Sequence, residues 1–248
     1  MSATDPAHSP YPDCLTLHTP EPDHAAVLQV EADFIVAYKP PGMSFHREGE
    51  LPGLLDHLRV LHEGELYPLH RLDRLTSGLL LLARNAAAAS EFGSMFAAHR
   101  LDKYYLALSA RAPQKKQGTV AGAMLPARGG SWRLGEGQEQ YAVTQFFSHG
   151  VGNGQRLLLL RPLSGRTHQL RVAMKSLGAP LLGDVRYGGA AADRGYLHAY
   201  ALAFLWRGQP HAYRLPPAAG MHFTSPAFSQ LLSGMSLPWD YAWPSRKK

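Results

Sequence analysis

Four consecutive leucines, Leu79–Leu82, sit inside a short apolar run, Gly78–Ala83, which Arg84 and Asn85 close. A run of this length suits a strand better than a helix, and its unbroken hydrophobicity suits a strand covered on both faces. The chain must therefore supply packing partners on each side of it. Its 248 residues are enough for a sizeable core, as one large domain or two small ones. No stretch reaches the roughly 18 apolar residues that a spanning helix needs, so no membrane partner is expected.

The neighbouring segments read as short strands and short helices. VLQVEADFIVAYKPPG, from Val27, predicts one or two strands stopped by Pro40, Pro41 and Gly42. Leucines at 54, 55, 58 and 61 follow a helical period, and Ala86–His99 is an Ala-rich helix with Phe92, Met95 and Phe96 on one face. Residues 103–110 predict a strand, 122–140 an exposed loop or hairpin, and 141–148 with 155–162 a strand pair. A short helix is expected over 168–177, closing strands over 197–206 and 212–215, and a last helix over 228–235. Without regular βαβ alternation, this order predicts an α+β fold with a mixed, largely antiparallel sheet and flanking helices. Residues 1–26 read as a tail or extended arm, 27–215 as the main domain, and 216–248 as a C-terminal extension ending in Arg246, Lys247 and Lys248.

The formal net charge is +6, and residues 1–35 carry acids but no Lys or Arg, so the remainder is more basic than the total. That balance is compatible with a polyanionic partner such as nucleic acid. The single cysteine, Cys14, cannot form an internal disulfide, and no secretory signal is read at the start, so a cytoplasmic location is expected. Thirteen histidines invite a metal reading, but there is no HExxH and no cysteine pair, so no metal or cofactor is expected. Monomer is the expected state.

Three constellations have the residue types for chemistry. In HRLDRLTSG, Asp73 lies between Arg71 and Arg74 just before a Thr76-Ser77-Gly78 turn. Neighbouring guanidinium charge favours an ionised carboxylate, available as a nucleophile or base. Spacing alone favours a surface ion pair capping the loop over that reading. In LSGRTHQLRVAMKSLG, Arg166, His168, Arg171 and Lys175 crowd a glycine turn and a helix start, with Arg171 and Lys175 on one helix face. Phosphate contacts and a solvated basic face are both open readings there. In KYYLAL, Tyr104 and Tyr105 must face opposite sides of a strand, so one is expected buried in the core and the other open to solvent or a cleft, where a tyrosine can stack on a base.

Taken in order, these segments resemble the RluA-type RNA pseudouridine synthases. HRLDRLTSG is similar to the catalytic motif of that family. YKPPGM, KYYLAL, AVTQF, SGRTHQLRV, PLLGDVRYGG and LHAYALAF match its other segments across residues 30 to 205. Tyr38 stands where the family usually has Asn, and Ala173 where a His is frequent. Residues 1–26 are too short for the S4 RNA-binding module of many relatives, so the resemblance is to the short members. It implies the pseudouridine synthase catalytic fold over 27–215 and isomerisation of specific uridines in structured RNA, tRNA or rRNA, with no cofactor.

The same resemblance implies that Asp73 is the essential carboxylate, Arg171 its ion-pair partner, and Tyr105 the residue that stacks on the target base and takes the C5 proton. It implies base flipping, with Arg71 filling the vacated stack. Arg74, Arg166 and Lys175 are expected phosphate contacts, and His70 a structural hydrogen-bonding residue. The alternative is a non-catalytic RNA-binding or RNA-assembly protein on the same scaffold. A glycoside hydrolase would need two carboxylates flanking the bond, and a metal nuclease an acidic cluster. The HRLD segment offers neither.

Overall fold

The computed structural model of the protein describes residues 11, 14–19 and 21–244. Residues 1–10, 12, 13 and 20 of the expected arm, and the Arg246–Lys248 end, lie outside the described residues.

In chain order the elements are β1 (Leu15–Thr16), β2 (Ala26–Val30), β3 (Phe34–Lys39), α1 (Leu54–Leu61), β4 (Tyr67–Pro68), β5 (Ser77–Ala83), α2 (Ala86–Ala97) and β6 (Leu101–Ser109). They continue with β7 (Gln117–Pro126), β8 (Trp132–Gly135), β9 (Tyr141–Gly152), β10 (Gln155–Pro162), α3 (Gln169–Ser176), β11 (Leu197–Trp206), β12 (Gln209–Arg214) and α4 (Pro226–Ser233). The strands form one sheet in the order β2-β3-β5-β11-β6-β10-β9-β7-β8, with β4 added to β5 and β12 to β11. Two pairings are parallel, β5 with β11 and β1 with β12; the rest are antiparallel. The fold is thus α+β with a mixed, largely antiparallel sheet.

The leucine runs become intelligible from this order. β5 lies between β3 and β11, and every one of its residues is buried. Side chains alternate across the sheet, so each run feeds two cores at once. Leu80, Leu82, Tyr105, Leu158 and Leu160 pack on one face with α1 and α3. On the opposite face Leu79 and Leu81 meet Phe92 and Met95 of α2, while Tyr104, Leu106, Leu157 and Leu159 meet Phe223, Phe228 and Trp239 of the C-terminal segment. The adjacent tyrosines therefore part as expected: Tyr104 goes to the C-terminal side and Tyr105 to the α1/α3 side.

Local signals set the ends of the elements. Asn85 caps α2 by accepting from the Ala88 amide at 2.8 Å. Ser225 caps α4, with Pro226 in its first turn. The 122–140 segment is a hairpin of β7 and β8. β9 and β10 run on to Gly152 and Gln155, joined by Asn153 and Gly154, both at positive φ, as a tight hairpin turn requires. Gly78 is fixed by more than flexibility. Its φ is +114°, and a Cβ there would lie 2.3 Å from the Ala199 carbonyl oxygen, because β11 pairs directly over the start of β5.

Candidate active site

The loop between β4 and β5 carries HRLDRLT, and its position is set from below. His70, half-buried and held far below the usual imidazole pKa, at about 3, by desolvation and then by the Lys103 charge, accepts from the Leu81 amide at 3.1 Å. It therefore works as a structural acceptor that ties the loop to β5. Lys39, at the end of β3, is fully buried. Its ammonium donates to the carbonyls of Pro40, Met43 and Arg74 at 2.8, 2.7 and 3.1 Å, tying the Pro-Pro-Gly turn to the Asp73 loop. Burial, reinforced by Arg194, depresses its pKa to about 7, while the nearby Asp73 charge opposes the drop.

At the loop's apex Asp73 faces Arg171, which sits in the first turn of α3. The Arg171 Nη1 donates to Asp73 Oδ2 at 3.3 Å, across 98 positions of chain. A second carboxylate holds the same guanidinium more tightly. Asp184 accepts from Arg171 Nε at 2.7 Å and from Nη2 at 2.8 Å, a two-pronged pairing that leaves Nη1 for Asp73. Burial acts to lower the Arg171 pKa, but Asp184 and then Asp73 outweigh it and the net shift is upward. The Tyr187 ring lies 4.9 Å from the guanidinium carbon.

Asp73 and Arg171 form the wall between two grooves. The first, of ≈ 440 Å³, is also lined by Arg71, Lys103, Tyr105 and Arg166. Tyr105 is buried on its floor, and burial together with the Asp73 charge raises the phenol's pKa, so it stays protonated at neutral pH. The second groove, of ≈ 740 Å³, carries Arg47, Arg71, Arg74, Arg186 and Arg194. Both are sized and charged for a polyanion. Among the described residues no cluster of three or more His, Cys, Asp or Glu is placed to hold a metal ion.

Residues 33–176 match the RNA pseudouridylate synthase family. The chain belongs to that family. It is 41% identical over 217 residues to an RNA pseudouridine synthase of Haemophilus influenzae, covering 86% of this chain and 97% of that protein. It is 31% identical over 185 residues to the tRNA pseudouridine synthase C of Vibrio parahaemolyticus, covering 67% and 75%. Among solved structures, human RNA pseudouridylate synthase domain containing 1 superposes with a TM-score of 0.66 at 27% identity, covering 80% of this chain and 85% of that one. A pseudouridine synthase is an isomerase that converts uridine in RNA to pseudouridine, so RNA is its substrate.

The seven residues singled out from sequence are distributed unevenly over this pseudouridine synthase site. Asp73, Arg71, Tyr105, Arg166 and Arg171 converge on the first groove. Arg71 is exposed, lines both grooves and makes no ion pair or side-chain hydrogen bond among the described residues. Arg74 lines the second groove, with its guanidinium engaged by the Gly42 carbonyl and Glu48. Lys175 lines neither groove; its ammonium sits over the Tyr187 ring at 5.6 Å. Asp184 and Tyr187 also stand at this site and were not singled out from the sequence, while Lys39 entered only as part of YKPPGM. The only signal for the first two was their place inside PLLGDVRYGG.

Proposed function

We propose that this chain isomerises specific uridines in structured RNA, tRNA or ribosomal RNA, with Asp73 as the essential carboxylate acting on the ribose of a flipped-out nucleotide. The observation that carries this reading is the Asp73–Arg171 pair, brought together from distant segments at the head of a basic groove floored by Tyr105. In the reaction the N1–C1′ bond breaks, the base turns, C5 bonds to C1′, the C5 proton leaves and N1 takes up a proton. Atoms and electrons balance without redox, so the chemistry requires no cofactor. Tyr105 is buried on the floor of the first groove, where a base stacked within a duplex could not reach it, which favours flipping. Arg71, unpaired and exposed at the junction of the grooves, is suited to fill the vacated stack.

Arg171 holds Asp73 in orientation through its Nη1. Tyr105 stacks on the uracil. Its raised pKa means that it accepts the C5 proton only while passing its own to solvent in the open groove, so its hydroxyl acts as a relay. Arg166, on the first groove, and the arginines of the second are in position to contact phosphates; Lys175 would reach RNA only at the periphery.

The test is a pseudouridine map of total RNA from cells with the gene, without it, and complemented with Asp73→Asn. Sites that vanish with the gene and return with wild type but not with Asp73→Asn support the reading. Restoration by Asp73→Asn refutes it.

A further inference from the structure

His168 is the residue just before α3, and nothing above uses it. Its backbone is left-handed, φ 56° and ψ 16°, an uncommon conformation for a residue with a side chain, and its side chain does not cap the helix. This conformation instead brings the imidazole to the Tyr187 hydroxyl, with Nδ1 at 2.7 Å. The ring lines both grooves at the Asp73–Arg171 wall.

The hydrogen bonds at Tyr187 bear on which nitrogen of His168 carries the proton. The Tyr187 side chain is buried. Its oxygen accepts the Trp132 amide at 2.9 Å, from the first residue of β8. Its own proton then needs an acceptor, and among the described residues the only one in reach is His168 Nδ1. Nδ1 is therefore unprotonated, and the imidazole proton resides on Nε2. That nitrogen has no protein partner among the described residues, yet it is not among the buried, unsatisfied atoms. The surrounding charges are Asp73, Asp184, Arg171 and Arg186, and burial keeps the imidazole on the neutral side of its ordinary range.

We propose that Tyr187 is a positioning residue that locks His168 with its proton on Nε2, and that His168 donates this hydrogen bond to an oxygen of the bound nucleotide. The substrate contact rests on the Asp73-centred reading above; the tautomer does not. The arrangement also links the β7–β8 hairpin to the site, since Trp132, His168 and Arg171 all meet at one tyrosine.

The experiment has two arms. In the first, ¹⁵N NMR of imidazole-labelled free protein reads the His168 tautomer. A proton on Nε2 in wild type, with the preference weakened in Tyr187→Phe, is the expected result; a proton on Nδ1 overturns the proposal. The second arm measures tritium release from bulk RNA, labelled at uridine C5 and taken from cells lacking the gene, for Tyr187→Phe, His168→Ala, His168→Gln and the Tyr187→Phe/His168→Ala double variant. Each of Tyr187→Phe and His168→Ala should lower kcat by about three- to tenfold, the worth of one neutral hydrogen bond. His168→Gln, which retains a side-chain donor, should recover part of that loss. The double variant should be no slower than His168→Ala, because the hydroxyl acts through the imidazole. Multiplying losses would mean that the hydroxyl serves only the hairpin, and would overturn the proposal. Wild type that releases no tritium would sink the Asp73 reading and the substrate contact with it, while the NMR arm still decides the tautomer.

Discussion

Replacing Asp184 with Asn should destabilise the protein more than replacing Asp73 with Asn, although Asp73 is the residue assigned to the chemistry. Asp184 makes two hydrogen bonds to Arg171, at 2.7 and 2.8 Å, with side chains only 2% and 7% exposed. Asp73 makes one, at 3.3 Å, and its side chain is 21% exposed. Breaking a buried pair by removing one charge costs about 3–5 kcal/mol. The lower end applies to Asp184→Asn, because Asp73 remains as a counter-ion, so about 3 kcal/mol is expected. A single longer, part-exposed contact is worth about 1 kcal/mol or less. Urea unfolding of both variants measures the difference directly, with unchanged slope showing that the same surface is exposed. A gap of about 2 kcal/mol is expected, or a Tm difference of roughly 4–8 °C for a chain of this size. Asp73→Asn should be inactive and near wild type in stability; Asp184→Asn should be less stable but retain slow turnover, since Arg171 still meets Asp73. If Asp73→Asn proves as destabilising as Asp184→Asn, the division of Arg171 between a structural and a reacting carboxylate is wrong.

Three further expectations can be checked with simple measurements. Tyr105→Phe keeps the ring and loses the relay, so RNA binding should be unchanged and kcat should fall by about 10²-fold or more; turnover at the wild-type rate would leave stacking as its only role. Gly78→Ala forces a Cβ to within 2.3 Å of the Ala199 carbonyl oxygen at a φ of +114°, so it should cost more than about 3 kcal/mol and show as a lower urea midpoint or loss of folded protein. Stability should fall as pH drops below about 6.5, because desolvation holds the half-buried His70 and the buried His198 neutral with pKa values near 3, whereas the unfolded chain takes up those protons at the ordinary value. The loss should run from about pH 6.5 down to about 3 with a slope approaching 1.4 kcal/mol per pH unit for each histidine, and urea titrations on His70→Gln and His198→Gln should show a flatter profile.

The sequence revealed most about elements whose pattern repeats along the chain. The leucine run at 79–82 announced a strand buried on both faces, and alternation sent Tyr104 and Tyr105 to opposite faces of the sheet, where both are buried rather than one alone. Helical spacing put Arg171 and Lys175 on one face, where both meet the Tyr187 ring. What that spacing could not reveal was the object they share. Asp184 and Tyr187 come from a short turn whose geometry depends on Gly183, at φ +77° with the Arg194 carbonyl where a Cβ would be, a contact made by chain eleven residues further on. No local period encodes such a packing. Arg74 and Lys175 looked like free cations for the same reason: their partners, Glu48 and the Tyr187 face, are distant in sequence. The parallel pairing of Leu15–Thr16 with β12 is two residues long, below what any pattern can announce.

The charges around Arg171 explain why the grooves are so basic. One guanidinium faces two carboxylates, so the Asp73–Arg171–Asp184 set carries one net negative charge when all three are ionised. An RNA strand brought to that point would be repelled by it. Arg71, Arg186 and Arg194 line the second groove, and among the described residues none of them has a carboxylate partner, whereas Arg47 and Arg74 are paired with Asp56 and Glu48. These guanidinium groups, which face no carboxylate, offset the local excess and leave a positive approach on the second-groove side of Asp73. On the Asp73-centred reading, the arrangement separates two needs that conflict at a single residue: a carboxylate that reacts, and a surface that attracts phosphates. RNA affinity should accordingly fall steeply with added salt, at a slope near −0.7 per phosphate neutralised on a single strand. Asp73→Asn, which removes one negative charge from the wall, should bind RNA at least as tightly as wild type while forming no product. Weaker binding by Asp73→Asn would mean that the carboxylate contributes to affinity, and the electrostatic division argued here would fail.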